Sequence, residues 1–576
     1  MPDADITENM DYYASRIAAA EQADLSRCIR EARHALGEAD WAKLAGRISN
    51  DIDGPEHALL LPLVTVREGP FDWILESFYA EVLANLELET GSMLQLMREA
   101  LGTRPADDRW TILRGFESWA GKADDRPSAC IDALVAEAAP PELLAPALRA
   151  GLTVQRKHFR ERGLAFIESG PEPIAIAAAE VLAGQKPIGK GAAKQILKAI
   201  RLRCESMGGE ARTMLFEAAL GLAFRTAPHT VASILTLVDP GQPEPFLRAC
   251  ARQLVVADSA PEAALVGTIA GVLLQAERLD AATMKFVDDA IRRWIGIDSS
   301  HAAFAHLLVG LILETEATFD TLDASAGAVL QIAAERRDAI LARLLVSDSF
   351  EGAQAVYQIA FKTFGKPLEP VLNFAPHALE PEPAIRIARR VAGLFAITPV
   401  TATSILLSLL RSGPAEAADE VVGQIMDPVL ISYWEDAGDY LRKRREHEVG
   451  DMAARIDALI AALESYVEAI KGVGYIEELF PPERQRFLRA LKKDADSRQV
   501  SRKANEGSLL AGLFETRMVL NGDSAIYRVF TGDGESHRAE QPMQAIEHSR
   551  ALPRLDAIDP FGYWYRRRLL MNGLPA

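Results

Sequence analysis

Three stretches of this chain open on the same tripeptide: PEPIAIAAAEVLAG from Pro171, PEPFLRACARQLVV from Pro243 and PEPAIRIARRVAGLFA from Pro381. In the last, Ala384, Ile387, Ala388, Val391 and Leu394 or Phe395 recur at i, i+3, i+4 and i+7, the spacing of one buried helical face. A proline early in a helix costs little, because its missing N–H is one that the first turn leaves unpaired anyway. Glu382 behind it suits the positive end of the helix dipole. The openings lie 72 and 138 residues apart, close to two and four copies of a unit of about 35 residues.

Filling the intervals gives helix starts near Pro141, Pro171, Glu210, Pro243, Asp280, Phe319, Glu351, Pro381 and Pro414. Second helices are predicted near Gly189, Pro228, Pro261, Ser299, Arg336, Pro367 and Thr398. A two-helix hairpin cannot bury its apolar face alone, so stacked neighbours must supply the core. The expectation is an all-α chain: an α-solenoid of two-helix repeats of HEAT-like length, with a small β-meander near the C-terminus. No helix carries the full tetratricopeptide aromatic pattern or the T-P-L-H of ankyrin repeats. The rival reading is a large irregular helical domain.

Four regions follow. Residues 1–140 read as a helical N-terminal region or cap, with long elements such as 7–36 and 70–87. Residues 141–433 hold the repeats, and 434–510 hold long charged helices, including 451–474. Residues 511–576 contain strand-like runs around Asn521-Gly522 and Gly532-Asp533-Gly534, then a basic aromatic tail.

The formal charge of −18 argues against uniform coating of nucleic acid and leaves local basic patches open. Cys28, Cys130, Cys204 and Cys250 are widely spaced without C-x-x-C, which suits a reducing cytoplasm and no disulfide framework. The acidic start resembles no secretory signal, and the longest apolar runs, such as 302–313, are too short to span a bilayer. Arg outnumbers Lys, which points to a bacterial source. A cytoplasmic protein with no membrane contact is expected.

GQKPIGKGAAK, residues 184–194, nearly spells a nucleotide-binding loop, with Gly184, Gly189 and Lys190 in place. Gly191 stands where a metal-binding Ser or Thr belongs, and the residues before it read as helix rather than strand. A turn between two helices is the simpler account. The helix that follows places Lys190, Lys194, Lys198 and Arg201 on one face, opposite Ala192, Ala193, Ile196, Ala199, Ile200 and Cys204. Arg156, Lys157, Arg160 and Arg162 belong to the second helix of the preceding repeat, predicted to lie alongside. Arg489, Lys492 and Lys493 form a second basic segment, and Trp564, Arg566 and Arg567 sit in the tail YWYRRR. Such groups suit a protein interface, with nucleic acid as the alternative partner. Tyr563, Trp564 and Tyr565 can equally anchor the tail to the fold.

Catalytic motifs are missing from the sequence: there is no H-E-x-x-H, no G-x-S-x-G and no zinc-spaced cluster. Asp288-Asp289 with Arg292 and Arg293 reads as intrahelical ion pairing. No cofactor is implied. The leading reading is a non-catalytic interaction scaffold or adaptor. A nucleic-acid-binding repeat protein and a helical-toroid enzyme are the rivals.

Overall fold

The computed structural model describes residues 3–48, 73–473, 482–506, 516–542 and 555–576, apart from short interruptions between elements. Helices dominate. The chain divides into two units, residues 1–310 with 322–328, and residues 311–321 with 329–576.

The first unit begins with α1 (Asp3–Ala18), α2 (Gln22–Ala35) and α3 (Glu38–Arg47). The single long element predicted over 7–36 is therefore two helices. Burial explains the break: Ala14 and Ile17 of α1 and Ile29 and Ala32 of α2 are all buried, and the two helices touch. Arg16 reaches Glu31 at 2.7 Å. On one straight helix those residues would lie about 22 Å apart.

The unit continues through α4 (Trp73–Asn85), α5 (Thr90–Gly102), α6 (Trp110–Ala120), α7 (Arg126–Ala136), α8 (Pro141–Val154) and α9 (Arg156–Ser169). Next come α10 (Glu172–Gly184), α11 (Lys190–Ser206), α12 (Gly209–Thr226) and the short α13 (Val231–Leu235). The series ends with α14 (Pro243–Val256), α15 (Ala263–Leu274), α16 (Ala281–Trp294) and α17 (Asp298–Glu314). The openings predicted at 141, 171, 210, 243 and 280 fall within a residue of observed starts.

Even-numbered helices from α4 to α16 form one row, each packed on the next, and odd-numbered helices pack on its flank. Small residues permit the close approach. A Cβ on Gly115 of α6 would stand 2.6 Å from the Ala80 carbonyl oxygen of α4, and α10 buries Ala175, Ala177, Ala178 and Ala179.

Polar contacts repeat at the same period. Arg109 pairs with Glu142 at 3.2 Å, Arg149 with Glu117 at 2.6 Å and Arg252 with Glu217 at 2.6 Å, over 33, 32 and 35 residues of sequence. Each pair joins neighbours in the even row. The helix ends are joined as well. Trp119 donates its indole N–H to the Leu86 carbonyl, just past α4, at 2.9 Å, and Trp294 does the same to Leu254 of α14 at 2.7 Å. Arg293 donates to the Val255 carbonyl at 2.7 Å. These donors satisfy carbonyls that a helix C-terminus leaves unpaired. The ion pairing predicted for Asp288-Asp289 is thus only half present. Asp289 does meet Arg292 at 3.2 Å. Asp288 instead accepts the Ser325 N–H at 2.7 Å and the Ala324 N–H at 3.1 Å, at the N-terminus of the helix that begins at Asp323.

Helix α18 (Asp323–Gln331) begins in the first unit and ends in the second, which holds α19 (Ala334–Val346), α20 (Phe350–Phe361), α21 (Pro381–Leu394) and α22 (Pro399–Ser412). These are followed by α23 (Ala418–Gln424), α24 (Asp436–Arg445), α25 (Gly450–Val473) and α26 (Glu483–Glu506). Strands β1 (Thr516–Asn521), β2 (Ser524–Phe530) and β3 (Ser536–Pro542) pair antiparallel in the order β1-β2-β3. In that register Val519 lies opposite Ile526, and Ile526 opposite Glu540. Gly522 and Gly532-Asp533-Gly534 lie outside the described residues. The chain closes with α27 (Pro560–Met571).

One predicted helix is not formed. From Pro367 to Phe374 the chain forms neither helix nor strand. Pro370, three residues after Pro367, lacks an N–H and would clash with the preceding turn of any helix begun there. The exposed backbone groups must be paired elsewhere, and α22 pairs them. Thr401 donates to the Leu368 carbonyl at 2.7 Å and Ser404 to the Pro370 carbonyl at 2.7 Å. Ser408 accepts the Leu372 N–H at 3.1 Å and Ser412 the Phe374 N–H at 2.9 Å. These four hydroxyls fall on one stripe of α22. Buried Asp338 takes the Val371 N–H at 2.8 Å.

Among the described residues no helix is long and apolar enough to cross a membrane.

Candidate partner-binding surfaces

Gly184 ends α10 and Gly189 is the N-cap of α11, so the loop that resembles a phosphate cradle joins two helices rather than a strand and a helix. On α11, Ala193, Ile196, Ala199, Ile200 and Cys204 are buried while Lys190, Lys194, Lys198 and Arg201 are exposed. Arg201 meets Glu205 at 3.9 Å. Lys190, Lys194 and Lys198 make no ion pair or hydrogen bond among the described residues.

Helix α9 lies against α11, and Arg203 of α11 donates to the Gly170 carbonyl at the end of α9 at 2.7 Å. Arg156 and Lys157 are exposed in its first turn, and Arg160 is half-buried on its flank. None of the three is paired among the described residues. Farther along, the face is mixed, since Glu161 and Glu168 are exposed too. Neither α9 nor α11 carries an acidic residue in its first turn or a side-chain cap on its N-terminus. The positive ends of both helix dipoles therefore add to the field of the lysines and arginines. Sequence proximity brought these two groups onto neighbouring helices of the flanking row.

A cleft of about 490 Å³ lies where α10, α12 and α14 end. The loop 185–188 and the turn 257–262 form its walls, and Phe224, Arg225 and Gln253 line it. Lys186 reaches Asp258 across 72 residues of sequence at 2.7 Å. The hydrogen bond and charge of Lys186 hold the Asp258 carboxyl below its ordinary pKa. Burial lowers the pKa of Arg225, which donates to the Ala183 carbonyl at the end of α10. The Gln185 side-chain amide nitrogen is buried with no hydrogen-bond partner. Cationic and anionic groups alternate around this cleft, so its electrostatics select no single ligand charge. No sequence signal marks it, because its residues come from three helix ends.

The tail divides by helical face. Tyr563 and Leu570 of α27 are buried, and α27 packs on α21. A Cβ on Gly393 of α21 would stand 2.6 Å from the Met571 nitrogen, so the two backbones nearly touch. Arg566 pairs with Asp427 at 3.2 Å, and Arg567 donates to the Gly393 carbonyl at 2.9 Å. These two arginines and Tyr563 hold α27 in place, whereas Trp564 and Tyr565 are exposed. Phe561 and Arg568, not singled out from sequence, share that outer face. Their i, i+7 spacing, with Trp564 and Tyr565 between, is the signal that would have found them. On α26, Arg489, Lys492 and Lys493 are exposed beside Phe487, Leu488 and Leu491.

Cys130, Cys204 and Cys250 are buried, and burial pushes each thiol up to about 12, so thiolate is scarce at neutral pH. His301 Nδ1 lies 2.7 Å from the Ile295 carbonyl oxygen. Among the described residues no three His, Cys, Asp or Glu side chains converge as metal ligands. No known family model matches the chain, and no curated protein is significantly similar to it.

Proposed function

We propose that this chain is an interaction scaffold: an α-solenoid of stacked two-helix repeats, of HEAT-like length, that binds an acidic protein partner along α9 and α11. One observation carries the reading. Several arginines elsewhere on the first unit are matched to acidic residues or carbonyls one repeat away, among them Arg109, Arg149, Arg252 and Arg293. Lys190, Lys194, Lys198, Arg156 and Lys157 stand exposed on adjacent helices with no such partner.

Unmatched charge of one sign steers an oppositely charged partner and speeds encounter, at the cost of salt sensitivity. A row of helices held by repeated contacts presents that charge at fixed spacing, so little order must be imposed on binding. The net charge of −18 opposes any extended polyanion, nucleic acid included, so contact with an acidic partner is confined to this local basic face.

The test is capture from a native extract by the full chain and by K190E/K194E/K198E, with bound proteins identified by mass spectrometry. The wild type retains a defined acidic protein at low salt and releases it as salt rises. The variant melts at the same temperature and does not retain it. Equal retention by both proteins defeats the proposal. A gel-shift with single- and double-stranded oligonucleotides at low salt distinguishes the phosphate alternative.

A further inference from the structure

We infer that the outer face of α27 is a self-association surface that pairs two copies of this chain, antiparallel, about a two-fold axis. Phe561, Trp564, Tyr565 and Arg568 occupy positions i, i+3, i+4 and i+7, within about a 100° arc of the helix. Phe561 is 84% exposed, Trp564 54% and Tyr565 59%. Arg568 is exposed and makes no ion pair among the described residues. The opposite face is anchored through Tyr563, Arg566, Arg567 and Leu570, so the rings stand on a fixed helix rather than a loose tail.

Trp564 is further held in place. Its ring stacks edge-on with Tyr563 at 5.6 Å between centroids, and the Arg567 guanidinium lies 5.0 Å from its centroid. A pre-ordered tryptophan loses little side-chain entropy on contact, which is the property of an interface anchor.

The residue order identifies a second copy as the occupant. An antiparallel two-fold pairing centred between Trp564 and Tyr565 sets each Arg568 opposite the Phe561 of the other copy. It sets each Trp564 opposite the other Tyr565. Arg568 over Phe561 is a cation–π contact, and Trp564 with Tyr565 an aromatic one. An isologous interface requires this self-complementarity: what one copy offers, the other must accept. A parallel pairing would instead set Arg568 against Arg568.

Size sets the strength. Three aromatic side chains of roughly 150–250 Å² each, at the exposures above, present on the order of 400 Å² per copy. Two copies bury about 800 Å² through this face, below the roughly 1,200 Å² of a standard stable interface. The dimer is therefore weak, with a dissociation constant in the micromolar range or above. Because ring contacts hold it, it persists in high salt, unlike an association through the lysines of α11.

Sedimentation velocity of the full chain, from micromolar to hundreds of micromolar, tests this in low and high salt. The expected result is a concentration-dependent monomer–dimer equilibrium that W564A weakens by at least about 30-fold. Phe561→Lys and Phe561→Glu remove the same ring and so share any effect on folding. Phe561→Lys sets two cations face to face and abolishes the dimer, whereas Phe561→Glu sets a carboxylate opposite Arg568 and retains it. A chain that stays monomeric throughout overturns the inference. So does a dimer indifferent to W564A, or equal loss in the two Phe561 variants.

Discussion

Ser404 in α22 joins two buried partners, and its removal has a cost that can be worked out. Its hydroxyl donates to the Pro370 carbonyl at 2.7 Å and accepts from the Tyr440 hydroxyl at 2.9 Å, and the side chain is 2% exposed. In Ser404→Ala the Pro370 carbonyl keeps only Ser408, at 3.5 Å. The Tyr440 hydroxyl is left buried without its acceptor. Orphaning a buried polar group costs roughly 1–3 kcal/mol. With partial compensation at Pro370, the total is about 2.5 kcal/mol. Tyr440→Phe alone leaves Ser404 still bonded to Pro370 and costs about 1 kcal/mol. In the double variant no tyrosine hydroxyl remains to be stranded, so the two costs should not add. The expected shortfall is about 1–2 kcal/mol, as for residues in direct contact. Hydrogen exchange followed by mass spectrometry on peptides covering residues 366–374 reads this locally. At roughly tenfold per 1.4 kcal/mol, Ser404→Ala should speed exchange there by about 60-fold. An acceleration of less than about threefold, or strict additivity with Tyr440→Phe, would show that the segment 367–374 is not held by these hydroxyls.

Two further outcomes follow from buried or capping charges. Glu76 and Arg104 are both about 98% buried and meet at 3.4 Å. Glu76→Ala removes the carboxylate facing the guanidinium, which keeps the Ala100 carbonyl at 3.0 Å, and should cost about 3–5 kcal/mol, whereas Glu76→Leu with Arg104→Met should cost little or stabilise. Urea unfolding followed by the fluorescence of Trp73, Trp110 and Trp119 checks both, and a single-variant cost below about 1 kcal/mol refutes the burial argument. Asp280 is the N-cap of α16, accepting the Thr283 N–H at 2.6 Å and pairing with Arg248. Burial disfavours its charged form, yet the bonds from Thr283 and Arg248 outweigh burial and hold the carboxyl below its ordinary value. A carboxylate whose folded pKa is depressed contributes above the unfolded value of about 3.9 and loses that contribution as pH falls through the folded value. Asp280→Ala should therefore lose about 1 kcal/mol near neutral pH, and the gap from wild type should close only below about pH 4. Thermal melts across pH measure it, and a gap that closes at higher pH counts against the assignment.

What was legible in the sequence is what depends on neighbours along one helix. Ala384, Ile387, Ala388 and Val391 share a buried face because 3.6 residues make a turn, and the same count placed Lys190, Lys194 and Lys198 together outside. What was not legible depends on groups brought together from far apart. Pro367 reads as a helix opener until the stripe Thr401, Ser404, Ser408 and Ser412, some 35 residues later, is seen to pair the backbone of residues 368–374. Residues 7–36 read as one helix because both halves are apolar on one side, and only their contact with each other explains the turn. In the tail, composition alone could not separate anchoring from display. YWYRRR holds both kinds of residue, and the 100° step between successive residues divides them: Tyr563, Arg566 and Arg567 turn inward, Trp564, Tyr565 and Arg568 outward. Anchoring and presentation are thus not rival readings of this segment. The inward bonds fix the helix that carries the outward rings, and a fixed helix is what the proposed self-association needs if so small a face is to recognise a second copy.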